Sequence, residues 1–386
     1  MFSRRASVDT SPNRLAIALA RARANDVPLL DLTLSNPTRA NIRYDEGAVL
    51  GALCDARALL YEPAPCGILS AREAVASDFG SYGVSVRSER IVLTSSTSEA
   101  YAFLFKLLAD PGDEMLVPAP SYPLFEYLAR LEGVRAVPYR LAYHGAWTID
   151  VDCVRANVTD RTRAILVVHP NNPTGSYVKR DEFDALAALG LPLISDEVFA
   201  RYPLRQDASR AACALATARA PLVFSLGGLS KLALLPQMKV AWIAVSGDDA
   251  HVAPAMDRLE VIGDTYLSVG TPAQNALPRW LACRAAAEGA VLRRVRHNLA
   301  VAHAATAGSA ISVLDVEGGW YATLRLPRTQ AEEHWALDLL EHDHVLVHPG
   351  HFFDFEDEAY LIVSLLTPEA TFIEGTRRIV ERVAQA

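Results

Sequence analysis

Four segments of the 386-residue chain carry side chains whose types and spacing could do chemistry. In LVFSLGGLSK an apolar run enters a Gly-Gly turn, and Lys231 follows just beyond it. A lysine past the carboxyl end of a buried strand is desolvated, which lowers its pKa toward the neutral amine that condenses with carbonyl compounds. The same segment also reads as a lysine capping a loop. In LPLISDEVF, Asp196 comes immediately after a short apolar strand, where its carboxylate could keep a heteroaromatic ring nitrogen protonated. It could also begin the next helix as an N-cap. In ILVVHPNNPTG a strand ends in two asparagines and a Pro-Thr-Gly turn, so the amide of Asn172 is held on a rigid corner, although such turns are common as structure alone. In IVLTSSTSEA the residues Ser96, Thr97 and Ser98 stand where a strand gives way to the amphipathic helix Glu99–Leu108, whose apolar positions are Phe103, Leu104, Leu107 and Leu108. Free N–H groups, hydroxyls and the helix dipole suit a phosphate there, and they also suit simple capping with nothing bound.

Amine chemistry has few side chains to choose from. Of 37 basic residues only Lys106, Lys179, Lys231 and Lys239 are lysines. Lys106 on the amphipathic helix and Lys179 in VKRDEFD read as ordinary solvent positions, which leaves Lys231 as the buried candidate.

The elements that must position these residues alternate β-rich apolar runs with helical stretches, the pattern of a parallel sheet with crossover helices. Strands are predicted at Arg90–Thr94, Glu114–Pro118, Arg135–Pro138, Ala164–Val168, Leu191–Ser195, Leu222–Ser225 and Val240–Val245, giving an α/β fold with a seven-stranded, mostly parallel sheet. After Pro272 a long Ala- and Arg-rich helical stretch runs to about residue 308, followed by Ile311–Val316, a Gly318-Gly319 turn and the strand Trp320–Leu326. These belong to a smaller α+β unit. The expected division is a large domain over residues 46–275 and a small domain formed by residues 1–45 and 276–386.

Composition narrows the partners. The chain is 51% hydrophobic, and its net charge of −8 is spread along the sequence, so no basic face is offered to nucleic acid and small molecules are expected instead. Cys54, Cys66, Cys153, Cys213 and Cys283 never fall as CxxC, which argues against a disulfide framework or a thiolate zinc site and fits a reducing cytoplasm. No apolar run approaches the roughly 18 residues of a membrane span. Ser3-Arg4-Arg5 has the look of a twin-arginine signal, but Arg14, Arg21 and Arg23 interrupt the apolar core that such a signal needs. A cytoplasmic location is expected.

Taken in order, these segments resemble the class I/II aminotransferases, the fold type I pyridoxal 5′-phosphate (PLP) enzymes, from about Leu34 to Pro368. The resemblance implies that Lys231 forms a Schiff base with PLP and shuttles a proton. By the same resemblance Asp196 partners the pyridine nitrogen, Asn172 bonds the phenolic O3′, and Tyr122 in APSYPLFEY stacks on the ring. Ser96, Thr97 and Ser98 match the phosphate cup. Tyr61 in YEPAPCG resembles the tyrosine that reaches the phosphate of a neighbouring subunit, so a homodimer with shared active sites is implied. EGGWYATLRLP and VLVHPGHFF resemble the small-domain strand and the Pro-Gly loop that follow. The implied activity moves an amino group from an amino acid or amine to a keto acid or aldehyde by a ping-pong mechanism. A lyase, decarboxylase or cyclase on the same scaffold is the alternative. Ligand sensors of transcription regulators also use this scaffold, but they need an attached DNA-binding domain, for which the residues ahead of the large domain are too few and not basic enough.

Four positions depart from the family pattern. Phe199 stands where a tyrosine usually donates to O3′, which implies that the imine proton is held to higher pH than in relatives. Lys239 replaces an arginine that meets the phosphate, without its bidentate fork. Gly228 replaces a serine, with Ser225 and Ser230 nearby as substitutes. The arginine that clamps the substrate carboxylate is missing from AYLIVSLLTP, and none occurs between Arg328 and Arg377. Candidate substrate residues are therefore Ser35, Asn36 and Arg39 in LTLSNPTRAN and Arg325 on the small-domain strand. No metal is expected: of His342, His344, His348 and His351 in EHDHVLVHPGH, the His342/His344 pair has strand alternation but no third ligand at fixed geometry, and the Pro349-Gly350 turn is accounted for by the family resemblance; His169 reads as a packed neighbour of the asparagine turn.

Overall fold

The run TRAILVV is β-branched and apolar after Arg163, so neither face tolerates water and a strand there must be buried on both sides. The computed structural model describes residues 2–357 and 359–386. In it this run is a central strand whose side chains alternate between two cores, with Ala164, Leu166 and Val168 packed on one face and Ile165 and Val167 on the other.

In chain order the strands are β1 (Leu30–Asp31), β2 (Ile91–Thr94), β3 (Glu114–Ala119), β4 (Arg135–Tyr143), β5 (Trp147–Ile149), β6 (Thr162–Val168), β7 (Leu193–Asp196), β8 (Leu222–Gly228) and β9 (Ala241–Gly247). Then come β10 (Ser312–Val313), β11 (Tyr321–Arg325), β12 (Val345–Leu346), β13 (His348–Pro349) and β14 (Tyr360–Ser364). The large sheet has eight strands in the order β2-β9-β8-β7-β6-β3-β4-β5. The pairs from β8 through β4 are parallel, whereas β9 runs against both β8 and β2.

The sheet therefore has one strand more than the seven expected. β4 continues past Pro138 to Tyr143 and turns back as β5, with Leu141 opposite Ile149 and Tyr143 opposite Trp147. Pro138 hides this, because proline lacks the N–H that a central ladder needs. Here β4 has β3 on one side, with Val117 opposite Pro138, and β5 pairs only with its residues 141–143, so the proline sits on the open side of an edge. The helical stretch after Pro272 is two helices, Thr271–Cys283 and Ala285–Thr306.

The second sheet is antiparallel, in the order β10-β11-β14-β13. β1 pairs in parallel with β12, Leu30 opposite Val345, and Leu15, Leu32 and Ile42 from the N-terminal segment share a core with Trp320, Trp335, Leu361 and Phe372. β2, β3, β6, β7 and β8 all end on the same edge of the large sheet, where β9 begins. That edge is where ligands bind in sheets of this kind.

Candidate active site

Lys231 reaches this edge because two glycines let β8 run tight against β9. A Cβ on Gly227 would lie 2.5 Å from Nε1 of Trp242, and one on Gly228 would lie 2.9 Å from the Cβ of Ala241. After Gly228 the short helix Leu229–Leu232 turns Lys231 into a cavity of ≈ 160 Å³. Its backbone carbonyl accepts a 2.6 Å hydrogen bond from the Tyr202 hydroxyl. Its Nζ lies 5.6 Å from the centre of the Phe199 ring and 5.2 Å from that of Trp320. Burial between these rings lowers the amine to about 8, with the Asp196 carboxylate opposing the shift.

Asp196 ends β7 and enters the same cavity. No helix starts there; one carboxylate oxygen accepts the Val198 N–H at 3.1 Å and the other accepts the Tyr101 hydroxyl at 2.8 Å. Burial raises the Asp196 pKa, and those two donors together with Lys231 pull against it. The two asparagines divide their work. Asn171 builds the turn, donating to the Pro120 carbonyl at 3.0 Å and to Thr174 at 2.9 Å and accepting from Ser121 at 2.7 Å. Asn172 lines the cavity, and its Oδ1 is buried with no hydrogen-bond partner. An orphaned amide of this kind marks a place for a ligand.

Thr97 enters the cavity from the start of the helix Thr97–Leu108. The Ser96 hydroxyl is used as the helix cap, accepting the Glu99 N–H at 3.2 Å. Glu99 in turn accepts from the Ser95 N–H and the Ser268 hydroxyl, each at 2.6 Å. The first-turn N–H groups at Thr97 and Ser98 have no carbonyl within the helix to bond. Ser230 also lines the cavity, whereas Ser225 lies with Glu197 and Trp242 at a separate pocket. Tyr122 and Phe199 are cavity walls, with Tyr122 edge-on to Phe125 at 5.9 Å.

Several expected residues lie elsewhere. Of the N-terminal candidates only Ser35 lines the cavity; Asn36 caps the Thr38 N–H at 3.0 Å, and Arg39 is exposed. Arg325 faces a crevice of ≈ 670 Å³ together with Arg140, Arg328 and Trp147. Lys239 is exposed at φ 53° and is not a wall of the cavity. Tyr61 is 73% exposed, on a loop near Gly263 and Ser268. Lys179 is not a solvent residue: it pairs with Glu317 at 2.6 Å, a carboxylate only 3% exposed. Burial drives His169 down to about 3; its Nδ1 accepts the Val178 N–H at 3.0 Å and its Nε2 lies 3.1 Å from the Ala211 carbonyl. Among the described residues, no three metal-capable side chains come together.

Tyr101, Tyr321 and Trp320 complete the site without a motif of their own. Tyr101 follows Thr97 by one helical turn, so both face the sheet edge. A buried tyrosine needs a partner for its hydroxyl, and that need is the one sequence signal it gives.

The aminotransferase class I and II model matches residues 48–372, and the chain belongs to that family. It is 31% identical to the glutamate-pyruvate aminotransferase AlaA of Escherichia coli (strain K12) over 216 residues, which cover 55% of this chain and 53% of that protein. It is 29% identical to the alanine aminotransferase of Mycobacterium tuberculosis (strain ATCC 25618 / H37Rv) over 217 residues, 55% of this chain and 50% of that one. The chain thus matches about half the length of these curated relatives. Among solved structures, the alanine aminotransferase from Pyrococcus furiosus has a TM-score of 0.90 over 100% of both chains at 23% identity. A single mutant of the Thermus thermophilus aspartate aminotransferase has a TM-score of 0.85 over 99% of each chain at 25% identity.

Proposed function

We propose that this chain is a PLP-dependent aminotransferase that moves an amino group between an amino acid or amine and a keto acid or aldehyde by a ping-pong cycle. One observation carries the reading: the buried Lys231 amine, held near pKa 8, shares a cavity with the Asp196 carboxylate and the unpartnered Asn172 amide. These residues fit the cofactor. PLP supplies an aldehyde that condenses with amines and a pyridinium ring that stabilises negative charge on the adjacent carbon.

The chain's own residues do the rest. Lys231 Nζ holds the aldehyde and, once displaced by a substrate amine, is the group placed to take and return a proton at the amine-bearing carbon. Asp196, whose charged form Tyr101, the Val198 N–H and Lys231 favour against the effect of burial, is the carboxylate placed to pair with the ring nitrogen. Asn172 donates to O3′ from its side-chain NH2, and Tyr122 covers the ring. Thr97, Ser98 and the capped turn at Ser96 receive the phosphate, with Ser230 in place of the family's usual serine, while the exposed Lys239 stands outside the cavity. Residues 46–275 act as the PLP-binding domain and residues 1–45 with 276–386 as the small domain that closes on it. Tyr61, exposed on its loop, supports a homodimer with shared sites, and a cytoplasmic location suits such an enzyme.

The test is spectroscopic. Holoprotein mixed with an amino donor accumulates the amine form of the cofactor, and a keto acid or aldehyde then restores the aldehyde form. Release of ammonia or carbon dioxide without that amine form would show a lyase or decarboxylase instead.

A further inference from the structure

The positive charges around the cavity decide what else it can hold. Among the described residues that line it, Lys231 is the one lysine or arginine, and the aminotransferase reading assigns that amine to the cofactor. The family's carboxylate arginine belongs to the segment that forms β14 here. That strand reads YLIVS, buried throughout and without a cation. Arg325 faces the separate crevice beside Arg140 and Arg328, beyond the Pro120 turn, and Arg39 is exposed outside the cavity.

Two hydroxyls stand at the small-sheet wall instead. Tyr321 pairs with Ser364 across β11 and β14. The Ser364 N–H donates to the Leu32 carbonyl at 2.6 Å, and its hydroxyl donates to the Leu34 carbonyl at 2.5 Å. This stitching fixes the next residue, Ser35, at the cavity beside Tyr321. Burial pushes the Tyr321 phenol up to about 12, and a hydrogen bond with Ser35 opposes the rise. Tyr321 is therefore a neutral donor and acceptor at any physiological pH. Thr97, at the start of its helix, serves the phosphate end, so the wall left for substrate is this one.

We infer that Tyr321 and Ser35 determine specificity, and that the substrate carries a neutral hydrogen-bonding group, a hydroxyl or an amide, where the family's substrates carry a carboxylate. The inference rests on the aminotransferase reading of Lys231. A carboxylate entering this wall would exchange water for neutral hydroxyls with no guanidinium to pair it, whereas a hydroxyl or amide finds both a donor and an acceptor there. In the half-reaction the substrate's C–H and C–N bonds break, and water supplies the oxygen of the carbonyl compound that leaves. The electron pair of the C–H bond reduces the cofactor's aldehyde to a primary amine.

The experiment uses holoenzyme and four probes that differ at one group: alanine, alaninol, alaninamide and isopropylamine. The rate of formation of the cofactor's amine form is measured for each. Alaninol or alaninamide should react at least about tenfold faster than alanine, and Y321F and S35A should each lower the ratio of alaninol to isopropylamine by up to about tenfold, the worth of one hydrogen bond. Alanine reacting faster than both neutral probes overturns the inference and leaves the aminotransferase reading standing. An unchanged ratio in both variants overturns the assignment of the two hydroxyls. If neither these probes nor a panel of amino acids yields the amine form, the aminotransferase reading falls, and the inference with it.

Discussion

In the proposed reading Lys231 owes its reactivity to its walls. A lysine in water is protonated up to about pH 10.4 and cannot attack an aldehyde. Between Phe199 and Trp320 its amine is lowered to about 8, and Asp196 sets the limit of that shift by favouring the charged form. Below about 8 the neutral fraction falls tenfold per pH unit, and above it the fraction saturates. Uptake of PLP by the cofactor-free protein, followed by stopped-flow absorbance, should therefore rise with pH and level off above about 8. D196N, which removes the opposing carboxylate, should move the plateau to lower pH. A rate that goes on rising to about pH 10 would show that the amine is not desolvated. Lys231, Asp196, Asn172 and Thr97 are legible in the sequence because each lies at, or within a few residues past, the carboxyl end of a strand, so chain order alone puts them on one edge. Tyr101 and Tyr321 were not legible, since one reaches Asp196 from a helix and the other reaches the cavity from a different sheet. Arg39 and Arg325 looked equally suitable as letters, and only the packing turns them away.

At the level of elements, the Gly227-Gly228 pair shows how a strand delivers a side chain. β8 and β9 approach so closely at this point that the indole of Trp242 occupies the space of a side chain at 227. Trp242 is itself only 3% exposed, packed in a core with Trp280 and Leu277, so it cannot swing away cheaply. G227A should cost about 1–3 kcal/mol, the usual toll of overpacking a core, and lower the urea midpoint with little change in slope. Equal midpoints for wild type and G227A would mean that the strands can separate there. The same contact bears on what the sequence could show. An apolar run such as AILVV in β6 announces a central strand because both faces are dry. β4 and β5 at the edge alternate with exposed positions and carry Pro138, so their pattern is diluted where the sheet meets water. The two-residue pairing of β1 with β12 joins segments more than 300 positions apart, a contact that no local pattern encodes.

At the scale of the whole molecule, three successive large apolar side chains stand outside the cores of the described residues. Leu59, Leu60 and Tyr61 are 89%, 64% and 73% exposed in succession. The Tyr61 loop lies against Gly263 and Ser268 at the end of the helix Asp249–Tyr266, where Val261 and Tyr266 are also exposed. Contiguous exposed side chains of this kind mark an interface, and a stable one buries about 1,200–2,000 Å² in total. In the proposed homodimer the net charge of −8 on each chain would work against association at low salt, so the apolar patch would have to supply the attraction. Sedimentation should therefore give a species of twice 41.9 kDa at micromolar protein, held together at high salt. Replacing Leu59 and Leu60 together by aspartate should yield monomers and weaken retention of PLP on dialysis, because Tyr61 then has no partner site to enter. Y61F should stay dimeric and lose only part of that retention. A wild-type chain that sediments as a 41.9 kDa monomer would sink the shared site, and Lys231 would have to hold the cofactor with residues of its own chain alone.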